Sequence, residues 1–233
     1  MENETLKLTS VLADPTRFAI YQYVVTSHRQ VTVQEIAEHF EIHPNVARLH
    51  LTKLEDVSLL TSCSEKTGKG GRPSRLYSIS EQVVNLQFPP RDYQLLAEIA
   101  IDTLISLGEE GQKALSEMGR RFGHEAAKRA IETERVNLNA DLTTKLDHIE
   151  RLICAQGLNP QIELVDEDTV KFRVHNCTFK ESAKKMPESI CQMHQTFLRG
   201  IFETFLGDIS LIEENSIMGG CRSCDYTVIK LPN

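Results

Sequence analysis

From Thr32 to Tyr77 the chain offers two short helical segments, a tight turn between them and a basic hairpin, an order that leaves few folds open. Thr32 is an N-cap residue for a helix carrying Ile36, Ala37 and Phe40 at helical spacing. Glu41-Ile42 makes the turn, and Pro44 suits the first position of the next helix, where a missing N–H costs nothing. At about 100° per residue, Ala47, Leu51 and Leu54 share one stripe of that second helix and are expected in the core. Asn45, Arg48, Leu49, Thr52 and Lys53 then fall on the opposite side. An amide, two cations, a hydroxyl and an aliphatic suit phosphate and base-edge contacts in a major groove. A solvated face would read the same way in isolation, but the next residues favour DNA. LTSCSEK and SRLYSIS form two strands around the glycine-rich TGKGGRP, with Lys66, Lys69, Arg72 and Arg75 as cations. Such a hairpin directly after the helix is a wing that reaches the flanking backbone or minor groove.

The charge balance agrees once it is divided. The 233 residues carry a net charge of −7, yet residues 43–75 hold six Lys/Arg against three acids, while residues 91–233 hold 17 against 23. A cationic reading face on an acidic body is adequate, because beyond about 8 Å salt screens the rest. The run IHPNVARLHLTKLED followed by GRPSRLYSIS resembles the ArsR-like winged-helix regulators, and among them the SufR-type branch. The resemblance implies a transcriptional regulator of the repressor type that binds a double-stranded DNA operator.

The rest of the chain divides by pattern. Residues 4–12 form a short helix, and Asp14-Pro15 starts a second whose buried side is Phe18, Ile20, Tyr21, Val24 and Val25. The prolines of FPPRDY mark a boundary. Beyond it Asp92 to Leu107 is a strongly apolar helix, Gly108 and Gly111 bracket a break, and further helices follow to about Ile131 and from about Asn139, the last with Leu142, Leu146, Ile149 and Ile153 in a stripe. These stripes serve either a core or a subunit interface. A homodimer is expected, since one winged helix reads only a half-site. After Gly157 the period changes to two, with strands in QIELV and TVKFRV, a helix from about Pro187 to Leu206, and strands near Ile209–Glu213 and Tyr226–Lys230. The expected fold class is α+β: a winged helix-turn-helix over residues 1–88, a helical dimerisation region over 89–157 and a small α+β sensor domain over 158–233. No apolar run approaches 18 residues and the amino terminus MENETLKLTS is polar, so the reading is a cytoplasmic protein with no membrane segment.

Six cysteines complete the inventory: Cys63, Cys154, Cys177, Cys191, Cys221 and Cys224. Stable disulfides are disfavoured in the cytoplasm, so clustered thiols point to metal or redox chemistry. The last four are spaced C-x13-C-x29-C-x2-C, which is neither a pair of zinc knuckles nor a ferredoxin run. In GGCRSC the two glycines let the backbone approach a bulky ligand and turn N–H groups toward sulfur. Spacing alone leaves zinc, an iron–sulfur cluster, a lone redox pair and ordinary buried cysteines all open. The SufR-type resemblance extends to NCTFKESAKKMPESICQMHQTFLRGIFETFLG and GGCRSC, and it implies an iron–sulfur cluster (4Fe-4S or 2Fe-2S) on Cys177, Cys191 and one or both of Cys221 and Cys224. His194 and His175 stand as substitutes or supporting donors, and Cys63 and Cys154 read as structural.

Two other readings remain. One keeps DNA binding but gives the rear domain a structural zinc or a small-molecule pocket. The other is a thiol oxidoreductase using Cys221 and Cys224, against which the CxxC lacks a thioredoxin-like βαβ context. The chain also shows no phosphate loop, nucleophile elbow or HExxH, so it is expected not to be an enzyme.

Overall fold

The computed structural model describes residues 2–65, 74–89 and 91–232, and side chains from residue 4 onward within those spans, except those of Glu65 and Ser74. It divides into two compact units, residues 1–91 and 92–233.

The first unit contains α1 (Glu2–Leu12), α2 (Pro15–Ser27), β1 (Val31–Thr32), α3 (Val33–His39), α4 (Pro44–Glu55), β2 (Leu60–Glu65) and β3 (Ser74–Ile79). The local signals behave as their chemistry requires. Asp14 and Thr32 cap α2 and α3, accepting from the Arg17 and Glu35 amides at 2.9 and 3.1 Å. Pro44 opens α4. Ala47, Leu51 and Leu54 are fully buried in a core with Ile20, Val24, Val31, Ile36, Leu60 and Tyr77. Both hairpin strands pair antiparallel with Cys63 opposite Leu76, and β1 adds to the outer edge of β3, giving the order β1-β3-β2. One expectation fails at α2. Phe18 is exposed, and its neighbour Arg17 is buried instead, donating to the Val11 carbonyl at 2.8 Å and to His50 Nδ1 at 3.4 Å. A buried guanidinium with acceptors on two sides outcompetes an aromatic ring at that position, because its polar groups are paired.

The second unit contains α5 (Tyr93–Ser106), α6 (Glu109–Glu134), α7 (Leu142–Ala155), β4 (Pro160–Leu164), β5 (Thr169–Val174), α8 (Lys180–Lys185), α9 (Pro187–Leu206), β6 (Ile209–Asn215) and β7 (Cys224–Lys230). Its sheet is antiparallel in the order β4-β5-β7-β6. Phe172, Tyr226 and Val228 on the sheet bury against Leu198, Ile201, Phe202 and Phe205 of α9. The same core takes Ala127 from α6 and Leu146, Ile149, Leu152 and Ile153 from α7. Residues 89–157 therefore do not stand as a separate helical region: α6 and α7 belong to the core of the second unit.

The contact that fixes α6 on α9 is a glycine seam. A Cβ on Gly123 would lie 2.0 Å from the Phe197 carbonyl oxygen, one on Gly119 2.4 Å from that of Met193, and one on Gly200 2.2 Å from that of Arg120. Backbone meets backbone here, closer than any side chain permits. Beside the seam Glu203, almost fully buried, accepts from Arg120 at 2.8 and 2.9 Å and from Arg199 at 2.7 Å. Gly111 does not mark a helix break. It lies inside α6, where a Cβ would strike the Leu104 carbonyl oxygen at 1.7 Å, and the break falls at Leu107-Gly108.

Candidate functional site

Two sites stand out, one in each unit. In the first, α3 and α4 meet through a turn in which Glu41 adopts a left-handed φ of 54° and the Ile42 amide donates to the Ala37 carbonyl at 3.0 Å. His43 caps α4 by accepting from the Asn45 amide at 3.2 Å. With Ala47, Leu51 and Leu54 inward, Asn45, Arg48, Leu49 and Lys53 are exposed together on the outer side and Thr52 is half-buried beside them. Arg48 donates to the Asn45 side-chain oxygen at 3.1 Å, which holds an amide and a guanidinium side by side. Leu49 is 53% exposed, an aliphatic left in solvent beside these polar groups. Arg75 is differently placed. It pairs with Glu55 at 3.1 Å, donates to Ser62 Oγ at 2.7 Å and lies over the Tyr77 ring, so it braces the hairpin against α4. Lys66, Lys69 and Arg72 lie outside the described residues.

In the second unit three of the four expected thiols line one cleft: Cys177 from the loop after β5, Cys191 from the second turn of α9, and Cys224 from the first residue of β7. The pairing of Val174 with Cys224 brings the end of β5 beside the start of β7, and α9 lies against both. Ahead of β7, the Ile217 amide donates to Cys224 Sγ at 3.3 Å. Cys221 is exposed, its sulfur 3.9 Å from Asn215 Oδ1, and is not among the residues lining the cleft. Cys63 and Cys154 are exposed as well. His175 is 3.4 Å from Gln161 Oε1.

The cleft also contains Glu213, Tyr226 and His194, and no lysine or arginine among the described residues lines it. Burial pushes the Cys177 thiol above its ordinary range and, with the neighbouring Cys177, Glu213 and Cys224, pushes Cys191 up to about 11. Such thiols stay protonated at neutral pH and are not primed as nucleophiles. His194 is 6% exposed, its Nε2 lacks any hydrogen-bond partner, and burial pushes its pKa down to about 4. Soft sulfur donors and a neutral imidazole are the donor set that iron–sulfur clusters and zinc both take. The cleft is narrow, with room for about one water molecule. Among the described residues, no group of three or more His, Cys, Asp or Glu side chains stands ready-made around a single metal ion.

Comparison with known proteins bears on the first site. Residues 12–63 match the family described as a helix-turn-helix domain. The first unit carries a helix-turn-helix domain. It supports a DNA-binding transcription regulator. No curated protein matches the chain. Among solved structures the chain is similar to the phenol-responsive sensory domain of the transcription activator PoxR (16% identity, 78% of this chain and 89% of that one, TM-score 0.47). It is also similar to a trafficking protein particle complex subunit 3 from Naegleria fowleri bound to palmitic acid (13% identity, 60% and 97%, TM-score 0.44). A third is an H-NOX protein from S. oneidensis (15% identity, 66% and 82%, TM-score 0.42). At these scores the likenesses assign neither fold nor ligand. No helix among the described residues is long and apolar enough to cross a membrane.

Proposed function

We propose that this chain is a homodimeric transcriptional repressor whose affinity for its operator is set by an iron–sulfur cluster held between α9, β7 and the loop after β5. The observation that carries the reading is the convergence of Cys177, Cys191 and Cys224, from three separate elements, on one cleft that no described lysine or arginine lines. The SufR-type resemblance of the segments bearing these cysteines favours a cluster over zinc.

When bound, the cluster supplies a crosslink that oxidation or loss removes. The chain supplies the rest. The Ile217 amide donates to Cys224 sulfur and helps to hold negative charge there. Movement of α9 passes to α6, because the glycine seam leaves no side chains to absorb it. Helix α6 follows α5, whose start at Tyr93 adjoins the boundary with the reading unit. A bistable α9–α6 arrangement biased by about 1–3 kcal/mol would change operator affinity 5- to 150-fold.

A second copy of the chain is the proposed occupant of α5. No residue of this 14-residue helix is buried, and Leu95, Leu96 and Ile99 are each more than half exposed. One reading head covers one half-site, so a dimer is what an operator of two half-sites requires. The test is to isolate the protein without oxygen and measure iron, acid-labile sulfide and operator binding on one sample. Colour with iron and sulfide, and an operator affinity that changes when the cluster is removed, are expected. One zinc per chain and no iron would replace the cluster with a structural metal.

A further inference from the structure

The geometry points to His194, not Cys221, as the fourth ligand of the cluster, giving a centre of three thiolates and one imidazole. This rests on the cluster reading above and goes beyond it by naming the ligand set. Three observations converge. His194 follows Cys191 by three residues on α9, so both side chains leave the same face of one helix and line the same cleft. Its Nε2 is one of two buried side-chain polar atoms without a hydrogen-bond partner among the described residues, the other being Tyr77 Oη. A buried nitrogen left unpaired costs about 1–3 kcal/mol, and a metal bond is one of the ways a fold recovers it. Cys221 is poorly placed for the role: it is exposed, beside Asn215, and outside the cleft that its neighbour Cys224 enters.

Glu213 is the remaining competitor in the cleft, and charge argues against it. As cluster ligands the three cysteines would be anionic thiolates, and a carboxylate would add a fourth negative charge to a site that no described lysine or arginine lines. A neutral imidazole adds none. Phe179 packs edge-on against the His194 ring, with centroids 5.1 Å apart, and holds its plane. Replacing a thiolate by imidazole raises a cluster's reduction potential, so this centre would be reduced more readily than one on four cysteines.

The test uses full-length protein with 15N-labelled histidine, reconstituted without oxygen with ferrous iron and sulfide and then reduced by one electron. Electron spin-echo spectroscopy of the wild type is expected to show a strongly coupled histidine nitrogen that survives His175→Ala and disappears in His194→Cys. Cys221→Ser is expected to keep iron, sulfide and the nitrogen signal, whereas Cys177→Ser loses the cluster. His194→Ala is expected to shed its cluster at least about tenfold faster than the wild type. A loaded wild type without nitrogen coupling, or cluster loss in Cys221→Ser with the coupling absent, overturns the assignment while leaving the cluster intact. A wild type that takes up neither iron nor sulfide overturns the cluster and this ligand set together. The wild-type nitrogen signal decides the matter even if a His194 variant fails to fold.

Discussion

Single side chains separate reading from architecture in the first unit. Arg48 is exposed on the outer face of α4 and donates to Asn45, whereas Arg75 is committed to Glu55, Ser62 and the Tyr77 ring. Arg48→Ala is therefore expected to weaken operator binding by about 1–3 kcal/mol, roughly 5- to 150-fold, with unchanged thermal stability. Fluorescence anisotropy against labelled operator at fixed salt measures this. Arg75→Ala should instead lower stability, because it leaves Glu55 without its cation. In the second unit Glu203 has a depressed pKa: burial opposes ionisation, but the Arg120 and Arg199 guanidiniums outweigh it. Its folded pKa lies below the ordinary 4.5, so its contribution is complete above pH 4.5 and is lost as pH falls through the folded value. Glu203→Gln should cost about 1.5–3 kcal/mol at pH 7 and flatten the acid limb of a plot of urea midpoint against pH.

Among the elements, the helix-turn-helix was legible and the second unit only partly so. Thr32, Pro44 and the stripe Ala47, Leu51, Leu54 act through neighbours three or four residues away, and local spacing reports such contacts directly. The burial of Arg17 and exposure of Phe18 depend on His50, 33 residues distant, which no period reveals. The strands around α9 were visible from their alternation. The membership of α6 in the same core was not, because its seam with α9 joins residues about 80 apart. A signal was present in the glycines at 119, 123 and 200, since a glycine within a helix costs about 1 kcal/mol against alanine and so implies a packing reason. Gly123→Ala or Gly200→Ala is expected to destabilise the second unit by about 1–3 kcal/mol. Urea unfolding followed by near-ultraviolet circular dichroism checks this. The candidate ligands Cys177, Cys191, Cys221 and Cys224 came from the SufR-type resemblance, and spacing left the chemistry open. Neither could tell that Cys221 faces solvent or that His194 Nε2 is buried unpaired, because burial depends on how α9 lies on the sheet.

For the whole molecule, α5 is the feature that a single copy leaves unexplained. Fourteen residues rich in leucine and isoleucine with none buried are stable in water when something covers them. Leu96→Glu with Ile99→Glu is expected to convert a dimer to monomers in sedimentation velocity and to reduce binding to a two-half-site operator far more than to a single half-site. Operator binding should also weaken steeply with salt, with a logarithmic slope of about −0.9 per phosphate contacted. The measurement that tests the account most directly is operator affinity on one anaerobic preparation before and after removal of its cluster by a chelator, with iron and sulfide assayed at each point. The account predicts a brown protein whose affinity changes by at least about fivefold as iron and sulfide leave together. A protein that binds the operator equally well in both states, or that never contains iron, would contradict it.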